Sequence, residues 1–358
     1  MSIPHHASQP QPHTPATRSG LARIVLLGGS GFLGAPLARR LLDLGYAVRV
    51  VDDRTEFGDG ALPRSERLDF VSEGRFFAHP EPYLKGTAAL VHLRWRGISR
   101  AVPLGDRGEL RENVVPSRRL LRAAPNLPIL FASSAGAIYG DLACVGRGAR
   151  EDARPEPVRA YGRAKLLVEQ MVQGRPDAGG LILRPANPYG PGQTADARCG
   201  VVGTFLTRIA AGRPVALYGE GSVERDFVYV DDLAEIFVLG IARAVSGYHT
   251  VYNVGGGEPT KLAHLLALVE RTVGRRARIE RFSPRHGDRR RVFVDIERAR
   301  LELGWRPRIG LEEGLERTWF ALRGAQRAFL GPVAAEPEAP RLRAEHEFLG
   351  GAPVAAES

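Results

Sequence analysis

The chain has 358 residues, 44% of them hydrophobic, and a formal net charge of +10, enough apolar material for one large domain or two modest ones. No apolar run approaches the ~20 residues that cross a bilayer, and the polar, His- and Pro-rich start lacks the apolar segment of a signal peptide; a cytoplasmic chain with no membrane partner is expected. The charge does not imply a nucleic-acid partner, because the arginines are spread along the chain with no recognition motif, and Lys85, Lys165 and Lys261 are the only lysines.

Residues 1–20 and 326–358 are rich in Pro, Ala, Glu and Ser and are expected to be flexible tails. Between them the apolar runs "RIVLLGG", "AVRVV", "ALVHL", "PILFASS" and "GLILRP" alternate with helical patterns, the signature of an α/β doubly wound parallel sheet of Rossmann type. This domain is placed at 21–184, with a return segment at about 226–255. From 185 to 325 Gly- and Pro-rich turns and two helical patterns suggest a smaller, mixed α/β substrate lobe.

The first strand runs into "GGSGFLG", where glycines at 28, 31 and 34 permit a tight turn and a close backbone approach to a pyrophosphate at a helix start. The next strand ends in Asp52, placed to bond the adenosine ribose and to repel a 2′-phosphate, which favours NAD. Arg49 and Arg54 nearby pull the other way, since a guanidinium welcomes a phosphate. In "AYGRAK", Tyr161 and Lys165 stand one helical turn apart and share a face. An ammonium beside a phenol lowers the tyrosine pKa and makes it a usable acid or base for hydroxyl–ketone redox chemistry. Cys144 and Cys199 are the only cysteines, so neither a disulfide framework nor a metal site is expected.

These pieces, with "ENVV", "SSAGAIYG", "RPANPYGPG", "YGEGSVERDFVYVDDLA", "YNVGGGEPT" and "RHGDRRR" in order, resemble the extended short-chain dehydrogenase/reductase family. Within it the likeness is to the NAD-dependent nucleotide-sugar epimerase/dehydratase branch. The resemblance implies that Tyr161 is the catalytic acid/base and that Lys165 binds the nicotinamide ribose, with NAD contacts also at Gly28, Gly31, Phe32, Leu33, Gly34, Asp52 and Ser133. Asn187, Arg225 and Arg285 match positions that hold the sugar-nucleotide pyrophosphate, Asp288 lies near the nucleoside ribose, and Tyr218 flanks the base. A homodimer paired through helices, including the one bearing Tyr161, is also implied.

Three departures stand out. Ala135 replaces the usual Ser or Thr that bonds the reacting sugar oxygen, leaving Ser134 or Ser133 as substitutes. The segment Ala135–Ala137 offers no carboxylate for the elimination a 4,6-dehydratase performs. Where the family often reads His-Leu-Ala-Ala, the chain has "HLRWRG"; Arg94 and Trp95 then either reshape the sugar pocket or pack over the nicotinamide side, while His92 is assigned to packing. The expected activity is 4-epimerisation of a nucleoside diphosphate sugar. A ketoreductase or dehydrogenase with exchangeable NAD(P)H, or a non-catalytic dinucleotide-binding protein, remains open.

Overall fold

The computed structural model describes residues 22–330 except 55, 58–59, 98–103, 140–147, 194–199 and 284–290. Most of both expected tails, Cys144, Cys199, Arg285 and Asp288 lie outside the described residues.

The centre is a sheet of seven parallel strands: β1 (Arg23–Leu27), β2 (Ala47–Val51), β3 (Leu68–Val71), β4 (Thr87–His92), β5 (Ile129–Ala132), β6 (Gly180–Pro185) and β7 (His249–Val254). Their spatial order is β3-β2-β1-β4-β5-β6-β7, each neighbour pair parallel. Every residue of β5 and β6 is buried, because helices cover both faces and no polar side of the strand is required. In β1 the side chains divide by alternation: Ile24 and Leu26 join one core, Val25 and Leu27 the other.

Helices α1 (Gly34–Asp43), α2 (Glu73–Ala78), α3 (Val115–Ala123), α4 (Ala160–Gln173) and α5 (Val230–Val245) supply the layers. On one face Leu37 and Leu41 of α1 meet Leu233, Ile236 and Phe237 of α5. On the other, Leu120 of α3, Val168 and Val172 of α4 and Phe76 of α2 close over the sheet. The strand order reverses between β1 and β4, which opens a crevice outside their carboxyl ends, the place where such sheets bind ligands.

Ahead of α3 the chain makes a turn of α-helix, Asp106–Glu109, and then a wider π-helical turn, Leu110–Val114. Pro116 accounts for the irregularity, since it has no N–H to offer the carbonyl one turn back, at Glu112. The Arg94 guanidinium takes that orphan carbonyl at 2.8 Å.

After β6 the chain leaves the sheet to build a second unit. Asn187–Tyr189 pairs in parallel with Glu224–Tyr229, which also carries Pro259–Lys261 and Arg291–Val292; Val215–Tyr218 pairs with Ile279–Phe282. The helices Val201–Ala210, Leu262–Val273 and Leu311–Leu330 enclose a separate core of Tyr189, Phe205, Leu206, Phe227, Leu265 and Leu315. The last helix runs to Leu330, into the stretch read as tail from 326. No helix among the described residues is long and apolar enough to cross a membrane.

Candidate active site

The glycine turn is held by backbone bonds. Gly28 N donates to Val51 O at 2.8 Å and Gly34 N to Gly31 O at 3.0 Å. Gly28 has φ +83°, and a Cβ there would lie 2.7 Å from Arg94 N; a Cβ on Gly34 would lie 2.5 Å from Gly29 O. Only glycine fits either place. No side chain caps the start of α1, so its leading end faces the crevice with the polarity an anion seeks. Leu33 packs between the sheet core and the lobe core, and Phe32 packs against the lobe.

Asp52, at the tip of β2, is 8% exposed and accepts hydrogen bonds from Ser30 N at 3.1 Å and Arg54 N at 3.2 Å. Its carboxylate is thereby fixed at the edge of the turn. Arg49 points elsewhere, forked onto Asp69 at 2.7 and 2.9 Å and bonded to Tyr83 O, so it is not free to receive a phosphate. Arg54 alone of the two stays beside Asp52, its Nε 3.7 Å from the carboxylate.

At the other end of the crevice α4 carries Tyr161 and Lys165 on one face, as the spacing requires. The Ser134 side chain stands near enough to the phenol to lower its pKa. Ser133 Oγ is buried without a hydrogen-bond partner among the described residues, and Ala135, 1% exposed, is packed into a small apolar cluster. Of the two candidate substitutes for the missing hydroxyl, Ser134 is the one whose side chain bears on the tyrosine's pKa.

The expected coupling of ammonium and phenol is not the arrangement found. Lys165 Nζ donates to Ala132 O at 2.6 Å and lies 5.8 Å from the Tyr161 ring centroid. Burial pushes the phenol up to about 12; the Ser134 side chain opposes this and the Glu109 charge adds to it. Burial also lowers Lys165 to about 7, against the attraction of Glu169 and Glu109. Desolvation therefore dominates both groups. The pair is a protonated phenol beside a lysine whose amine is turned into the protein.

The segment after β4 explains why. Arg94 and Arg96 both reach the Glu73 carboxylate at 2.7 Å, and Arg96 also reaches Asp53 at 3.1 Å. Trp95 turns the opposite way. Its ring centroid is 3.9 Å from Lys165 Nζ and 5.7 Å from the Tyr161 ring, and its Nε1 donates to Glu109 Oε2 at 3.0 Å. Asn113 Nδ2 donates to the same oxygen at 2.7 Å and also to Arg96 O. Glu73 and Glu109 were not foreseen as site residues. Glu109 stands four residues before Asn113, one turn of helix, the only signal the sequence offered. His92 is buried at 2% exposure with Nε2 2.8 Å from Ser117 Oγ, and burial lowers it to about 3, with Lys165 and Arg94 adding to the effect. It is a neutral packing residue.

In the lobe, Asn187 Nδ2 donates to Asp226 O at 2.9 Å, and Arg225 lies two residues along the same paired strand from Phe227, the register partner of Asn187. These two predicted substrate residues thus share one small sheet. Tyr218 lies on the separate two-stranded sheet, stacked on Phe282 with centroids 5.3 Å apart. Arg285 and Asp288 precede the strand Arg291–Val292, which pairs with Glu224 and Arg225, but they fall outside the described residues.

A doubly wound parallel sheet with a glycine turn at its switch point, an acidic residue ending the second strand and a Tyr-Lys pair beside the fifth defines a dinucleotide-dependent enzyme of the short-chain dehydrogenase/reductase type. The sequence profile of the NAD dependent epimerase/dehydratase family matches residues 24–255. The UDP-glucose 4-epimerase of Mycolicibacterium smegmatis is 32% identical over 313 residues, 83% of this chain and 97% of its own. A dTDP-4-dehydro-6-deoxyglucose reductase of Escherichia coli is 31% identical over 198 residues, 54% of this chain and 61% of its own. The Thermus thermophilus UDP-glucose 4-epimerase, solved with NAD, superposes with a TM-score of 0.71 at 30% identity, covering 85% of this chain and 99% of that one. The chain belongs to the NAD dependent epimerase/dehydratase family. Its residues fit the cofactor: the glycine turn leaves no room for a Cβ, and a carboxylate is fixed by backbone hydrogen bonds at the tip of β2, the position from which this type of sheet bonds a ribose hydroxyl.

Proposed function

We propose that the protein is an NAD-dependent 4-epimerase of a nucleoside diphosphate sugar, acting through a 4-keto intermediate. The observation that carries the reading is the placement of Tyr161 and Lys165 on one helix at the carboxyl end of β5, with Lys165 Nζ on Ala132 O, beside the glycine turn that packs against Arg94. NAD, when bound, supplies a hydride acceptor and donor in one molecule. Gly28, Gly31 and Gly34 hold its pyrophosphate, Asp52 the adenosine ribose and Lys165 the nicotinamide ribose.

Tyr161 exchanges the proton of the sugar 4-hydroxyl, and Ser134 holds the phenol and the sugar oxygen in line. The contribution expected of such a proton-transfer group is about 10²–10⁴-fold. Asn187, Arg225 and Arg285 hold the sugar nucleotide by its pyrophosphate, Asp288 lies at the nucleoside ribose and Tyr218 stacks beside the base. Anchoring at the pyrophosphate leaves the sugar free to turn, so the remote contacts supply binding while either face of C4 is presented. The absence of a carboxylate across Ala135–Ala137 speaks against elimination of water. A cytoplasmic homodimer is the expected setting.

The reading is tested by denaturing the protein as purified, quantifying the nicotinamide nucleotide released, and screening UDP- and dTDP-hexoses for inversion by NMR. Near-stoichiometric NAD with inversion and no added oxidant is expected. A stoichiometric demand for NAD(P)H would make the protein a ketoreductase instead.

A further inference from the structure

The Trp95 indole lies over Lys165, the residue assigned above to the nicotinamide ribose, and against the Tyr161 ring. Lys165 is 3% exposed, and the groups that face it are the Ala132 carbonyl at 2.6 Å, the Trp95 ring at 3.9 Å and the Phe131 ring at 4.7 Å. Lys165 Nζ is enclosed between the Ala132 carbonyl and the Trp95, Phe131 and Tyr161 rings, with the Glu109 and Glu169 charges acting on it, and of these the Trp95 indole lies closest over it apart from the carbonyl it bonds. We propose that Trp95 is a latch on the nicotinamide-ribose end of the crevice. Closed, and held by Glu109, it positions the Lys165 ammonium toward Ala132 O; dinucleotide binding requires the indole to swing away. The inference rests on the reading of this crevice as the NAD site.

The parts needed for such motion are present. A buried indole N–H requires an acceptor, and Glu109, 2% exposed, provides it. When the indole leaves, the same Glu109 oxygen keeps its 2.7 Å bond from Asn113, so opening does not strand a buried carboxylate. The backbone on either side is fixed, since Arg94 N donates to Leu27 O at 2.9 Å and Arg96 N to Asn113 Oδ1 at 2.8 Å. Arg94 and Arg96 are tied to Glu73 on the other side of the strap. Rotation of the Trp95 side chain about its own bonds is therefore the movement, and the strap itself stays in place. Trp95 acts on the reaction through Lys165 and is a positioning residue.

The test is stopped-flow and calorimetric binding of NAD to nucleotide-stripped protein, in the unsubstituted chain, Trp95→Ala and Trp95→Phe. A latch makes the observed association rate of the unsubstituted chain level off with NAD concentration, at the rate of opening. In Trp95→Ala the rate rises in proportion to NAD, and the affinity increases about tenfold or more, because the closed fraction no longer taxes binding. Trp95→Phe, which lacks the bond to Glu109, falls between. NAD binding at equal rates and affinities in all three would overturn the latch while leaving the NAD site intact. Failure of all three to bind NAD would overturn both readings.

A second readout needs no substitution. With three lysines in the chain, lysine-labelled NMR resolves Lys165, whose ε-methylene is expected to be shifted upfield by the indole face and to return toward ordinary values on NAD saturation. An ε-methylene that stays upfield with NAD bound contradicts the latch.

Discussion

At the phosphate end of the crevice, the turn from Gly28 to Gly34 is set by main-chain bonds and by contacts too close for any Cβ, and Asp52 already carries its hydrogen bonds. At the nicotinamide end, Tyr161 is kept protonated by burial, Lys165 faces the end of β5, and Trp95 covers both. The first region is fixed by its main chain. The second is set by side chains, and the latch proposed above would have one of them move. The difference follows from what each end is made of: backbone amides cannot turn aside, whereas an indole on a rotatable bond can.

The largest effect should separate the two ends cleanly. Tyr161→Phe is expected to lower turnover by about 10²–10⁴-fold while NAD still binds, measured by NMR of the sugar product alongside calorimetry. Loss of NAD binding in this variant would mean the two ends are not separable. Gly34→Ala should do the reverse, abolishing NAD binding and lowering unfolding stability by about 2 kcal/mol, because its Cβ would meet the backbone of Gly29 at 2.5–2.6 Å. Asp52→Asn is milder: NAD affinity should fall by about 10- to 100-fold, with a smaller preference over NADP, since one charge-assisted partner is weakened.

Much of the phosphate end was legible in the sequence because it is local. Strand, glycines and helix follow one another within "RIVLLGGSGFLGAPLARRLL", and spacing alone states which atoms approach. The helical partnership of Tyr161 and Lys165 was legible for the same reason. What the ammonium points at was not. Ala132 and Trp95 come from strands and loops far along the chain, and only the fold brings them to Lys165. Glu109 was hidden further by the π-helical turn at Leu110–Val114, which disrupts the periodicity from which a buried position would be read. Ser134 was named with Ser133 as an alternative, and both stand just past the end of β5, where the strand's alternation no longer says which way a side chain points. The boundary drawn at 326 fell short of the helix end at Leu330 because "QRAFL" is followed at once by the Pro-, Ala- and Glu-rich stretch that set the reading of the tail.

Two smaller effects sharpen the contrast. In NAD-free protein Lys165 is lowered by burial from 10.5 to about 7. Between those values the unfolded chain binds more protons than the folded one, so this residue makes stability rise as pH increases through the window and level off above it. Lys165→Met should remove that rise, visible as a flatter dependence of Tm on pH; an unchanged slope would mean the ammonium is solvated. In the lobe, Phe282→Ala should raise the KM for the sugar nucleotide ~2- to 10-fold with little change in kcat, because Tyr218 loses the ring stacked behind it.

The most direct test of the account uses a UDP-hexose carrying deuterium at C4, incubated with the protein in ordinary water without added nicotinamide nucleotide. The account predicts inversion at C4 with the deuterium retained, because the hydride leaves and returns within one site. Inversion with loss of the label to solvent, or no inversion unless NAD(P)H is supplied in stoichiometric amount, would contradict it.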